Sequence, residues 1–193
     1  MTTSIPGLYL FPNIIALEQE KELLNNINKA SFKRNRSNTR DIQIYGPYHD
    51  HNYKPVYKKG ELLYTFFPDF ITKIGELIKE KLKQLSLSKD ITNVPVDDSK
   101  KCEIFLNKYG KMDGLRPHFD HRQNYLEPIL GLSLCSECVM TFVRGKKEID
   151  VKVPARSLYI MTKESRYLYK HSIKPGNISS DRISITFRFL KLK

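Results

Sequence analysis

The chain has 193 residues, and domains of about 100–200 residues are the rule, so one domain is expected. Apolar residues at 40% and aromatics at 11% suffice for a packed core and do not fit a disordered chain. No apolar run reaches the roughly 18 residues of a membrane span, and residues 1–6 lack the features of a secretory signal, which points to an intracellular protein, cytoplasmic or nuclear, without membrane contact. Lys and Arg number 33 against 21 Asp and Glu, a net charge of +12; such an excess favours phosphate-bearing or acidic partners, unless codon bias towards Lys and Asn is its source.

Residues 2–30 begin apolar (Ile5, Leu8, Leu10, Phe11) and continue into an expected helix with Leu17, Leu24 and Ile27 on one face and Glu18, Lys21 and Glu22 in water. Residues 31–60 are polar, basic and tyrosine-rich, punctuated by Gly46, Pro47 and Pro55, and read as loops or short strands forming a lid. A stronger helix follows, with Pro68 suited to its first turn and Phe70, Ile74, Leu77, Ile78, Leu82 and Leu85 at helical spacing. Residues 86–101 read as a linker. From Cys102 onward, residues 102–109, 128–143, 149–153, 157–162 and 183–190 are rich in β-branched and aromatic residues and read as strands. In the last of these, alternation places Arg182, Ser184, Thr186 and Arg188 on one face and Ile183, Ile185, Phe187 and Phe189 on the other.

The most informative short string is His118-Phe119-Asp120. At a strand or its end, residues i and i+2 share a face, so imidazole and carboxylate can converge on one metal. His171, in the strand-like segment 166–171, is the best third ligand, and two histidines with one carboxylate form the facial set of non-haem Fe(II) oxygenases. Asn107 and Tyr109 form another i, i+2 pair. Arg182 and Arg188 share a face; buried arginines are costly unless an anion meets them, and a dicarboxylate cosubstrate would remove that cost. The alternative puts both arginines on a solvated strand face.

Asn107-x-Tyr109, His118-x-Asp120, the run from Ser157 to Thr162 leading to Arg166-Tyr167 and His171, then Arg182-x-Ser184-x-Thr186 closing with Arg188, together resemble the signature of the AlkB-type 2-oxoglutarate and Fe(II)-dependent dioxygenases. The resemblance covers residues 102–190 closely and residues 5–70 more loosely, through Gln43-Ile44-Tyr45-Gly46. It implies an α+β fold: a double-stranded β-helix (jelly-roll) core with N-terminal buttressing helices. Residues 1–193 would then be a single AlkB-like domain, with helices and substrate lid in 1–100 and the catalytic β core in 101–193. The resemblance further implies that His118, Asp120 and His171 hold Fe(II), while Asn107, Tyr109, Arg182 and Arg188 hold 2-oxoglutarate, Arg182 at its distal carboxylate. Molecular oxygen would be the other cosubstrate. The outcome would be hydroxylation of an ordinary carbon, or demethylation of an N-methyl group with loss of formaldehyde.

Repair demethylases of this family carry an acidic residue two positions after the ligand carboxylate, where Arg122 stands here. That departure argues against base demethylation. The runs 132–140, 154–157 and 164–167 are more similar to the branch that hydroxylates a modified wobble uridine in transfer RNA, which joins this domain to an RNA-recognition module and a methyltransferase. Neither lies in this sequence, so a separate RNA-binding or methyltransferase partner is expected, with the chain itself a monomer. Lys33, Arg34, Arg36 and Arg40, beside Phe32, Tyr45, Tyr48, Tyr53 and Tyr57, suit phosphate contacts and base stacking, or else form a solvated loop whose tyrosines pack on the core. Arg166, Arg122 and Tyr45 are the candidate substrate contacts. His49, His51 and His121 read as ordinary exposed histidines, and Cys102, Cys135 and Cys138 as reduced core thiols rather than half a zinc site. The leading expectation is a dioxygenase acting on nucleic acid, RNA or tRNA ahead of single-stranded DNA. The alternatives are the same chemistry on a protein side chain and a non-catalytic nucleic-acid-binding module.

Overall fold

The computed structural model describes residues 3–48, 56–59 and 61–191. In chain order the elements are β1 (Leu8–Phe11), α1 (Leu17–Ile27), β2 (Lys33–Arg34), β3 (Asp41–Tyr45), β4 (Tyr57–Lys58), β5 (Glu61–Leu62), α2 (Asp69–Lys83), α3 (Lys89–Thr92), β6 (Cys102–Tyr109), β7 (Leu115–His118), β8 (Ile129–Leu134), β9 (Cys138–Arg144), β10 (Lys147–Val153), β11 (Ser157–Met161), α4 (Lys163–Tyr167), β12 (Lys170–Ile173) and β13 (Arg182–Phe189). A seven-stranded sheet in the order β1-β11-β8-β13-β6-β3-β2 faces a four-stranded sheet in the order β10-β9-β12-β7, while β4 and β5 pair as a small hairpin. These two sheets, with helices behind the larger one, are the double-stranded β-helix core and N-terminal buttress expected from the sequence.

Because strand side chains alternate between faces, each strand of the larger sheet serves two layers. Cys102, Ile104 and Leu106 of β6, Leu130, Leu132 and Leu134 of β8, and Ile183, Ile185, Phe187 and Phe189 of β13 pack with Leu23 and Ile27 of α1 and with Ile71, Ile74, Ile78 and Leu82 of α2. The alternate residues face the smaller sheet, where Tyr109, Ile129, Tyr159 and Met161 meet Met140 and Phe142 of β9 and Ile173 of β12 in a second core.

Helix α2 forms where its heptad-like spacing places it. Pro68 stands at the N-cap, Asp69 opens the first turn, and Lys81 and Lys83 close the last, each sign complementing the helix dipole. Helix α1 is rotated from the sequence expectation: its buried residues are Glu20, Leu23 and Ile27, while Leu17 is exposed. The cause is Glu20, whose carboxylate accepts a 2.7 Å hydrogen bond from the Cys135 N–H and pairs with Arg156 at 3.3 Å. Both partners have positive φ, 72° and 56°, and the carboxylate holds these two turns at the buried end of the helix.

Three further expectations change. Residues 128–143 form two strands, β8 and β9, reversing through Cys135, which is exposed at the turn rather than in the core; Cys102 and Cys138 are buried. Residues 163–167 are helical, and only from Lys170 does the chain become a strand; Ser165 Oγ accepts the Thr162 N–H at 3.1 Å and starts the turn. Within residues 31–60, β3 is an integral strand of the larger sheet, paired from Asp41 to Tyr45 with β6.

Candidate active site

The two sheets bring their polar residues together at one end of the sandwich. His171 on β12 lies directly opposite His118 at the end of β7, and the next register pair is Ile173 with Leu115, so β7 carries one extra residue. This bulge lets Leu115 and His118 both face inward, re-aiming a strand end as bulges do. The two imidazole centroids are 4.3 Å apart. Asp120, just beyond β7 and 4% exposed, places Oδ2 3.7 Å from His171 Nε2. One donor atom from each of His118, Asp120 and His171 lies within 4.8 Å of the others.

The protonation states suit a cation. His118 Nδ1 lies 2.9 Å from the Arg116 carbonyl; the carbonyl only accepts, so Nδ1 donates and Nε2 is left with its lone pair. Burial pushes His118 down from the ordinary imidazole value, and pushes His171 to about 3, with the neighbouring His118 adding to the effect. Burial alone would raise the Asp120 carboxyl, but Arg188, then His171, His118 and Arg166, hold it below the usual carboxylate range. Two neutral imidazoles and one carboxylate are thus the forms that ligate Fe(II).

Arg188 is engaged with the ligand set. Its Nη2 is 2.7 Å from Asp120 Oδ1, and its Nη1 is 3.8 Å from Oε2 of Glu103, a neighbour on β6 that is 2% exposed. The Tyr125 hydroxyl donates to the same Glu103 oxygen at 2.5 Å. Arg188 thus pairs with the Asp120 carboxylate, is itself buttressed by a second acid, and lines the same cavity as Arg182.

Arg182 differs. It is 1% exposed, its Nε donates to Ser133 Oγ at 3.0 Å, and neither Nη1 nor Nη2 has a hydrogen-bond partner. An unpaired buried guanidinium is strongly unfavourable, and a carboxylate is the group whose two oxygens match its fork. The dicarboxylate 2-oxoglutarate therefore fits. Asn107, Tyr109, Ser184 and Thr186 line the same cavity between Arg182 and the His-Asp-His cluster. So does Tyr159, whose ring lies over Gly131 of the neighbouring strand: a Cβ there would stand 1.9 Å from Tyr159 Cζ. Only glycine permits that approach. Burial pushes the Tyr159 phenol up to about 12, so it stays protonated as a donor.

Alternation gave Arg182, Asn107 and Tyr109, whereas Tyr159, Ser133, Glu103 and Arg40 went unrecognised as site residues. Their signal was present: Ser133 stands opposite Ser184, Glu103 opposite Arg188, and Tyr159 opposite Gly131, which itself pairs with Thr186.

The expected substrate contacts fare differently. Arg166 is 2% exposed, and its guanidinium donates to the Asp120 and His121 carbonyls at 2.8 and 3.3 Å; it holds the loop that carries Asp120 instead of reaching outward. Tyr45 stands opposite Ile104, on the helix-facing side of the sheet, packed edge-on against Phe70 at 5.8 Å, so it is turned away from the site. Arg122 is exposed and stacks its guanidinium 3.6 Å from the Phe119 ring centroid. Arg34 is tied to Asp113 and Asp41, and Phe32 packs on the helix-side core, whereas Arg36, Tyr48 and Tyr57 are exposed. His49, His51 and Tyr53 lie outside the described residues. Among the described residues, His118, Asp120 and His171 are the metal-competent cluster, and His121 joins none. None of the described helices is long and apolar enough to cross a membrane.

Comparison with known proteins agrees with this geometry. Residues 7–188 match the family profile described as the 2OG-Fe(II) oxygenase superfamily. The chain is 31% identical over 197 residues to the uncharacterized protein L905 of Acanthamoeba polyphaga mimivirus, covering 96% of this chain and 85% of that one. It is 30% identical over 190 residues to the mouse tRNA (carboxymethyluridine(34)-5-O)-methyltransferase ALKBH8; that match takes in 95% of this chain but spans only about a quarter (26%) of the mouse protein. The fold superposes on the structure of OsALKBH1 with a TM-score of 0.71 at 14% identity, covering 97% of this chain and 100% of that one. With its His-Asp-His cluster beside a buried arginine awaiting an anion, the chain belongs to the 2OG-Fe(II) oxygenase superfamily as an AlkB-like, 2-oxoglutarate-dependent dioxygenase using Fe(II).

Proposed function

We propose that this dioxygenase oxidises a modified nucleic-acid base, RNA or tRNA ahead of DNA, with His118, Asp120 and His171 as the Fe(II) ligands and Arg182 as the anchor of 2-oxoglutarate. The observation that carries the site assignment is the buried guanidinium of Arg182 with both terminal nitrogens unpartnered, on the same cavity wall as the three ligands. With oxygen and 2-oxoglutarate, Fe(II) supplies the power to oxidise a carbon–hydrogen bond.

The protein's own groups prepare that chemistry. Arg182 receives the distal carboxylate, and Tyr109 and Asn107 add donors along the cosubstrate. Arg188 occupies Asp120 Oδ1, leaving Oδ2 as the ligand oxygen. Arg166 fixes the backbone from which Asp120 projects. Met140, Met161 and Ile173 line the cavity with apolar surface, limiting the water beside the reacting groups.

The nucleic-acid reading is supported by the +12 charge and by the exposed Tyr48, Tyr57 and Phe66 around the β4–β5 hairpin, with Lys58 and Lys59 beside them. Bases stack on such rings, and cations meet the phosphates. The likeness to the mouse tRNA methyltransferase supports the reading of RNA ahead of DNA. The test incubates the Fe(II)-loaded protein with 2-oxoglutarate and, separately, tRNA, methylated single-stranded DNA and peptides. A gain of one oxygen, or loss of a methyl carbon, confined to the RNA pool is expected, weakening as salt rises. A change confined to peptides overturns the nucleic-acid reading.

A further inference from the structure

We propose that Arg40 is a positioning residue for the cosubstrate, acting through Asn107; this rests on the assignment of Asn107 to 2-oxoglutarate. Arg40 lies immediately before β3, in the basic run otherwise read as a nucleic-acid contact, yet it lines the inner cavity with Arg182 and the ligand cluster. Its Nε is 2.7 Å from Asn107 Oδ1, and its guanidinium carbon is 5.9 Å from the Tyr109 ring centroid, on which Arg182 stands at 5.5 Å.

The chemistry of the pair fixes an orientation. A guanidinium only donates, so the amide atom facing Arg40 is the oxygen, and the amide nitrogen is the atom left to donate to an anion. Without Arg40, an asparagine amide can turn over and offer its oxygen to the carboxylate, replacing an attraction with a repulsion. Arg40 is itself held: Asn35 Oδ1 accepts the Thr39 N–H at 2.8 Å, the Asn35 N–H donates to the Arg40 carbonyl at 3.0 Å, and the Gly114 N–H donates to the Thr39 carbonyl at 3.1 Å. The turn between β2 and β3 thereby contributes to the floor of the cosubstrate site, joining the lid segment to the cavity.

The experiment is a calorimetric titration of 2-oxoglutarate into the Mn(II)-loaded full chain without oxygen, for wild type, R40A, R40K, N107A, R40A/N107A and R182A. R40A is expected to weaken 2-oxoglutarate binding about tenfold, as for loss of one charge-assisted hydrogen bond, with Mn(II) affinity unchanged. R40K, keeping a cationic donor, is expected to fall between R40A and wild type, and it decides the matter should R40A not fold. Acting through Asn107, the R40A effect is expected to vanish in the N107A background. Unchanged binding in R40A or R40K, or an equal loss in both backgrounds, overturns the proposal. Normal binding in R182A instead overturns the cosubstrate site on which it rests.

Discussion

The two faces of the seven-stranded sheet are made by the same strands and differ in nearly every property. Ile183, Ile185 and Phe187 of β13 meet the helices in a mainly apolar layer whose buried polar side chains, Glu20 and Gln43, have hydrogen-bond partners, while their neighbours Arg182, Ser184 and Thr186, equally buried, face the smaller sheet with polar groups. Burial therefore does not distinguish core from site in this molecule; what is buried does. The helix side is complete in itself, whereas the other side keeps a guanidinium whose two terminal nitrogens lack acceptors and two imidazoles held neutral. That unfinished chemistry is the mark of a face whose energetics close only when ligands arrive.

The sharpest way to break this comparison is to truncate residues of one strand, β13, on its opposite faces. Phe187→Ala should cost about 3–5 kcal/mol in urea unfolding, as for large buried aromatics, leaving cosubstrate affinity intact in the folded fraction. Arg182→Ala should do the reverse. The ligand-free fold should stay within about 1 kcal/mol of wild type, since an unpaired buried charge is lost, while 2-oxoglutarate binding falls by at least about thirtyfold. Comparable unfolding costs for the two would erase the distinction.

Gly131→Ala probes the boundary between the layers. Its new methyl group must displace the Tyr159 ring, so about 1–3 kcal/mol of stability is expected to go, accompanied by weaker cosubstrate binding. Normal binding at reduced stability would make Tyr159 a packing group only.

Acid should loosen the site side first. His171 sits at about 3 in the folded chain against an ordinary 6.5. Below pH 6.5 the unfolded chain takes a proton that the fold refuses, and stability present above that pH is lost as pH falls. The slope is about 1.4 kcal/mol per pH unit for one such group, and His118, shifted the same way, adds to it. Melting of the metal-free protein from pH 7 to pH 5 checks this, with His171→Asn expected to flatten the decline. The smallest effect is expected on the exposed face of α1: Leu17→Ser should change stability by under about 0.5 kcal/mol, while Leu23→Ala costs about 2–5 kcal/mol.

Much of this was legible in the sequence, and the reasons are physical. Unbroken alternation in β13 and β6 separates the faces because the strand period is two. His118-x-Asp120 is local, and α2 repeats its apolar residues often enough to fix its face. The failures occur where a distant contact decides. Glu20 is buried because Cys135 and Arg156 meet it, which rotates α1 away from its apolar pattern. Tyr45 lies on the helix side because β3 pairs with β6 in a register set by tertiary structure. Arg166 and Tyr167, at the start of a segment that reads as strand through His171, are instead the end of a helix that starts at the Thr162–Ser165 cap. Arg188 could be placed on the inner face, but its ion pairs with Asp120 and with Glu103 across the strand pair depend on tertiary structure.

The most direct test of the central claim is a crystal structure of the protein with Mn(II) and 2-oxoglutarate, grown without oxygen and phased for the metal's anomalous signal. The ion is expected within ligand distance of His118 Nε2, His171 Nε2 and an Asp120 oxygen, with the distal carboxylate of 2-oxoglutarate on the two terminal nitrogens of Arg182. Metal density away from those three residues, or a cosubstrate that leaves Arg182 unpaired, would contradict the account.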